Sequence, residues 1–254
     1  MRFFDISEDD PVWPKVSEII KKNKIPTVAH TEFTESEILS AEWVCIVPGY
    51  FEDDGFPMPH LDGSWRNISF NAGKECPNCG IGIDQTAPIH LKSEPNLKDN
   101  DFISIFWTYN IFARNEVFDV LSQNGITGFE AYPVIHYKKE VPLTTVKQLK
   151  ISKVLAPGVI ADNLIRADVE GITSDNTITN EDYPCGHIKY LGLSRGMYKF
   201  SRDIFKDMPD LVKTHEWFGG GHEAIQLVLT SAKFVKVYME NNWKGLNLSP
   251  ITLV

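Results

Sequence analysis

The sequence predicts an α+β fold in which two similar strand–helix–strand units pack as a two-lobed or pseudo-symmetric domain tied by a cysteine clamp. Three observations carry this. A β-rich run at 102–107 leads into a helical pattern with Val117, Val120 and Leu121 on one face, and then into a strand-like run at 129–137. The chain's end repeats the pattern: 227–229, a helical face of Phe234, Val237 and Tyr238, and a strand-like run at 246–253. Asn124 and Asn241, Gly128 and Gly245, and Pro133 and Pro250 align without a gap, each pair 117 positions apart. The third observation is the pair Cys76 and Cys79, with Cys185 more than a hundred residues downstream. One strand–helix–strand piece cannot bury its own apolar face, so a repeat of it implies packing of one copy on the other. The halves 1–141 and 142–254 are then the two lobes, or parts of one continuous domain.

The remaining elements follow in order. Residues 2–6 read as a short strand. Pro11 and Pro14 turn the chain into a helix with Val16, Ile19 and Ile20 in helical spacing, closed by Lys21, Lys22 and Lys24 where cations suit a C-terminus. Thr34 and Glu37 have capping-box spacing ahead of Ile38 and Leu39. Residues 43–47 form a compact apolar run read as a buried strand, with Cys45 a core residue within it. From 48 to 69 the composition changes to Gly, Pro, Asp and aromatics, which predicts a long loop. A polar connection spans 84–101, strands or a short helix occupy 143–154 and 159–165, and a polar loop over 173–181 delivers the chain to Cys185.

A chain of 254 residues, 43% hydrophobic, can fill a core. Its 34 acidic against 25 basic residues leave a net charge of −9, without the basic stripe that nucleic-acid binding needs. An acidic surface suits a basic protein partner instead. No apolar run approaches the roughly 18 to 20 residues of a membrane span, and the first residues lack signal-peptide anatomy. The expectation is a cytoplasmic protein, in which sparse cysteines serve a metal better than disulfides.

Two thiolates two residues apart on one tight turn make half of a tetrahedral zinc site. Cys185 can supply a third ligand. The fourth is His187 or Asp182: imidazole suits a site with three thiolates, while Asp182 stands where a second C-x-x-C would begin. Four protein ligands leave no open position, so zinc here is expected to be structural, in a zinc-ribbon-like clamp. A redox C-x-x-C fits less well, since Gly80-Ile81-Gly82 follows Cys79 rather than a helix. The glycine-rich stretch 217–223 lacks the Lys-Ser/Thr of a phosphate loop and reads as a flexible turn. No H-E-x-x-H and no G-x-S-x-G is present, and no catalytic residue is assigned.

The opening Met1-Arg2-Phe3-Phe4 with acidic residues behind it, Cys76-Pro77-Asn78-Cys79-Gly80, Cys185-Gly186, Asp203-Ile204-Phe205, and Phe234 followed by Gly245-Leu246 resemble the bacterial double-CXXCG motif proteins, immunity proteins of polymorphic toxin systems. The resemblance follows the landmarks in order from end to end. It departs at Asp182, where a cysteine is expected. What it implies is a protein that binds and neutralises a cognate toxin without catalysis. The loop 49–65, with Asp53, Asp54 and Asp62 beside aromatics, is the expected contact region, since interfaces combine aromatic anchors with a charged rim. The competing classes are a zinc-stabilised interaction module unrelated to toxins and, less favoured, an enzyme.

Overall fold

The computed structural model describes residues 6–25, 30–48, 68–71, 73–104, 109–167, 185–193 and 195–254. The loop 49–65 with Asp53, Asp54 and Asp62, the polar loop 173–181, Asp182, and all but Ile6 of the first predicted strand lie outside the described residues. The chain divides into two compact units, Met1–Thr31 with Ser194–Gly196, and Glu32–Leu193 with Met197–Val254.

In the smaller unit, helix α1 (Trp13–Asn23) starts where Pro14 sits in the first turn, its missing N–H costing no helical bond. Lys24 ends it in the left-handed conformation at φ 49°, with Lys21 and Lys22 in the last turn. Arg195 pairs with Glu8 at 2.5 Å within the same unit.

The larger unit is α+β. Helix α2 (Glu35–Ser40) opens with the expected capping box: the Thr34 hydroxyl accepts the Glu37 N–H at 3.3 Å, and Glu37 Oε2 accepts the Thr34 N–H at 2.8 Å. Strand β1 (Trp43–Pro48) lies between β13 (Val228–Ser231) and β14 (Leu246–Pro250), antiparallel to both, with β11 (Leu211–Lys213) beyond β13. A second four-stranded sheet places β8 (Val146–Lys150) between β4 (Ile111–Arg114) and β5 (Glu130–Tyr132), again antiparallel to both, with β3 (Phe102–Ser104) beyond β4. Helix α3 (Asn115–Gln123) follows β4, and α4 (Ala232–Glu240) follows β13. Strands β2 (Ile89–Leu91), β6 (Val134–His136) and β7 (Val141–Pro142) form a third sheet. Two short parallel pairs complete the set: β9 (Lys189–Tyr190) with β12 (Trp217–Phe218), and β10 (Lys199–Phe200) with β15 (Thr252–Leu253). No helix among the described residues is long and apolar enough to cross a membrane.

Period-two alternation decides which core each side chain joins. Val44 and Ile46 of β1, and Ile111 and Ala113 of β4, enter one shared core with Val117, Phe118 and Leu121 of α3 and Phe234, Val235, Val237 and Tyr238 of α4. Phe102 is an aromatic node of that core, 5.8 Å from Tyr238 and 5.6 Å from Trp243. The intervening residues face the other way: Cys45, Val212 and Leu229 join Phe200, Phe205 and Phe218, while Ile103 and Phe112 join Ile89, Leu91 and Val134. Cys45 is therefore core, as expected, and its thiol is pushed up to about 12 by burial.

Each long terminal strand read from the sequence is two short ones in different sheets. Pro133 lies between the two strands at one break, and Pro250 is the last residue of β14 at the other. Val134 then begins the pairing of β6 with β2, and Thr252 that of β15 with β10.

Asp210 ties the turn after α3 to the start of α4. Its Oδ2 accepts the Thr127 N–H and hydroxyl, both at 2.9 Å, and its Oδ1 accepts the Ser231 hydroxyl at 2.7 Å. Although burial opposes it, these bonds and the Lys233 ammonium hold the carboxyl below its ordinary value. A folded pKa below the unfolded one contributes stability that is present above about pH 4 and is lost as pH falls through the folded value. Asp210→Asn is expected to cost about 1.5 to 3 kcal/mol at pH 7, the range for hydrogen bonds to a charged group, and less at pH 3. Urea midpoints at both pH values check this. An equal cost at the two would refute the charge dependence.

Candidate metal centre

The turn that carries Cys76 and Cys79 is closed by two backbone bonds. Cys76 N–H donates to Ile81 O at 2.7 Å, and Gly80 N–H donates to Cys76 O at 2.8 Å. Gly80 holds φ +74°, which a side chain would resist, and a Cβ there would lie 2.1 Å from the His222 carbonyl oxygen. The turn therefore needs glycine twice over, for its conformation and for its neighbour. Cys185, Gly186 and His187 lead into β9, which runs beside β12 with Lys189 opposite Trp217.

These segments bring together Cys76, Cys79, Cys185 and His187, one ligand atom from each, all within 4.8 Å of one another. Cys79 Sγ is 3.6 Å from Cys185 Sγ and 3.3 Å from His187 Nδ1. A tetrahedral zinc with bonds of about 2.3 Å to sulfur and 2.0 Å to nitrogen requires edges of about 3.8 Å and 3.5 Å. The donor set fits a metal in number, softness and spacing. Cys79 is fully buried against Ala167, with Cys76, Ile81, Cys185 and Leu191 around it, while His187 is exposed. Of the two fourth-ligand candidates, His187 lies within the cluster and Asp182 is outside the described residues.

The thiols are not equivalent. The Asn78 N–H above all, with the Cys79 N–H and the neighbouring sulfurs, draws Cys76 down to about 6. Burial pushes Cys79 up to about 11, against the Ile81 N–H. Metal-free, reduced protein at pH 7 is thus expected to be alkylated by iodoacetamide at Cys76 at least about tenfold faster than at Cys45, because the thiolate is the nucleophile. Peptide mapping by mass spectrometry reads the ratio; comparable labelling of the two sites would contradict it.

Sequence reasoning passed over the support beneath the site. Lys189 has no solvent exposure, and its ammonium donates to Cys79 O at 3.0 Å, Gly221 O at 2.8 Å and Glu223 O at 2.5 Å. The glycine stretch read as a flexible turn is a packed hairpin, closed by reciprocal bonds between Phe218 and Ile225 and seated on the Gly80 turn. A lysine inside Ile188-Lys189-Tyr190 carries no signal of burial, since lysine is seldom fully buried. No family model matches this chain, and no curated protein matches it.

Proposed function

We propose that this chain is an immunity protein of the cytoplasm, which binds a cognate toxin in one-to-one fashion and blocks it without chemistry of its own. The carrying observation is the donor set of three sulfurs and one nitrogen drawn from segments more than a hundred residues apart. Zinc is the metal that suits it, and with all four positions filled by protein it acts as a clamp, leaving none for substrate. The order of the landmarks shared with double-CXXCG proteins supports the partner class. The net charge of −9 favours a basic toxin and argues against nucleic acid. Asp53, Asp54 and Asp62 are the proposed contact residues.

The same reading takes 1–141 and 142–254 as duplicated halves that exchange one strand each. Phe112 and Tyr132 both pair with Gln148 of β8, and Leu229 and Ser249, each 117 positions later, both pair with Cys45 of β1. The Thr127 N–H donates to Asp210 Oδ2 and the Lys244 N–H donates to Asp101 Oδ2, both at 2.9 Å. Leu211 N–H returns to Thr127 O, and Phe102 N–H to Lys244 O. Reciprocal contacts of this kind are what a two-fold relation produces.

Co-expression with the neighbouring open reading frame tests the function. Growth arrest by that frame alone, relieved by this chain and not by an Asp53→Lys/Asp54→Lys variant, is the expected result. Arrest that this chain does not relieve would overturn the proposal.

A further inference from the structure

We infer that Lys189 is a positioning residue for the metal centre: its buried ammonium, gripped by the glycine hairpin, fixes the cysteine turn and balances the charge of the thiolates. The inference rests on the zinc reading above.

Three thiolates and a neutral imidazole around a dication leave one net negative charge in a partly buried place. An unbalanced charge there is expensive, and a cation placed beside it removes most of the cost. Lys189 follows His187 by two residues and is fully buried. An ammonium has three donors, and three carbonyls receive them at 2.5 to 3.0 Å.

Those carbonyls come from two segments. Cys79 O belongs to the ligand turn itself, so the ammonium holds the peptide that follows the buried sulfur. Gly221 O and Glu223 O belong to the hairpin. Glycine lets that hairpin reach the cation. Gly219 holds φ +120°, and a Cβ on it would lie 2.5 Å from Glu223 O; Gly221 holds φ +53°. The stretch that looks superficially like a phosphate loop thus does the opposite task, turning carbonyls toward a cation instead of amides toward an anion. The contact of the hairpin with Gly80 completes the bracket around the turn.

Groups behind a metal's ligands commonly change affinity 10- to 100-fold when removed. The test uses purified full-length protein, stripped of metal and reduced, in zinc competition against a chromophoric chelator. Lys189→Met keeps length and loses charge; Lys189→Arg keeps charge. Lys189→Met is expected to bind zinc about 10- to 100-fold more weakly than wild type, with Lys189→Arg recovering at least part of the loss. In the cobalt-loaded forms, the thiolate-to-cobalt absorption of Lys189→Met should move to longer wavelength, because removing a nearby cation raises the sulfur electrons. A purely structural role would leave that band in place. Should Lys189→Met fail to fold by circular dichroism, Gly219→Ala, whose Cβ would displace the Glu223 carbonyl that accepts from Lys189 while leaving the ligand turn and the charge unchanged, must weaken zinc binding in the same direction. Lys189→Met, or Gly219→Ala in its place, binding within about twofold of wild type would overturn the role of Lys189 while leaving the zinc reading intact. Wild type that takes up neither zinc nor cobalt would overturn the zinc reading itself, and this inference with it.

Discussion

Cys79→Ser is expected to abolish stoichiometric zinc and to lower the thermal midpoint by about 8 to 16 °C. Cys79 is the most buried of the four residues that could hold the metal, with His187 Nδ1 at 3.3 Å and Cys185 Sγ at 3.6 Å. Serine is nearly the same size, so the packing around Ala167 and Leu191 changes little and the loss is that of the metal. Free zinc at about a thousand times its Kd stabilises the folded form by about 4 kcal/mol. On a chain of this length each kcal/mol moves the midpoint by about 2 to 4 °C, which sets the expected range. Wild type held in strong chelator should fall by a similar amount, and Cys79→Ser in chelator should fall no further. The direction with pH is set by the thiols: metal binding displaces their protons, so affinity weakens as pH drops. Without metal the Cys79 proton is held more firmly than that of Cys76, at about 11 against about 6. Scanning calorimetry with metal analysis under reducing conditions reads all of this. A chelated wild type that keeps its midpoint would mean that the cysteines hold no clamp.

Much of the local structure was legible because it is written in short-range chemistry. Thr34 and Glu37 cap α2 as their spacing predicts, and Val117, Leu121, Phe234 and Tyr238 face the core at helical period. Cys76, Cys79 and Cys185 were legible because the chain has only four cysteines, whereas His187, one of seven histidines, was legible only as an alternative to Asp182. What stayed hidden is long-range. Nothing in Trp43–Pro48 says that this strand inserts between β13 and β14, some two hundred residues away, because an apolar run names no partner. Pro133 and Pro250 are signals that were available: each breaks a run that alternation alone joins. Lys189 was illegible for a different reason. Its burial depends on three carbonyls, and backbone acceptors carry no sequence signature.

Gly245→Ala and Gly128→Ala are each expected to cost about 2 to 6 kcal/mol, the sum of a backbone and a crowding contribution, within about 1 kcal/mol of each other. At Gly245 the backbone holds φ +105°, and a Cβ would lie 1.9 Å from Phe102 O and 2.8 Å from Phe102 C. At Gly128, φ is +91° and the Cβ would lie 2.2 Å from Leu211 O. Strain at such a φ contributes about 1 to 3 kcal/mol, and forcing backbone apart in a packed place adds about 1 to 3 more. The displaced atoms are not free to yield. Phe102 N–H donates to Lys244 O at 3.0 Å, Leu211 N–H donates to Thr127 O at 3.1 Å, and the Phe102 ring lies in the shared aromatic core. Gly73 separates the two contributions, because it holds φ +86° with nothing among the described residues within 4 Å of its added Cβ. Gly73→Ala should therefore show only the backbone contribution, about 1 to 3 kcal/mol. Urea midpoints for the three variants decide the matter. If Gly245→Ala costs no more than Gly73→Ala, the close approach to Phe102 is wrong. If Gly245→Ala and Gly128→Ala differ by several kcal/mol, the two contacts are not energetic equivalents, and the proposed duplication loses its strongest physical support.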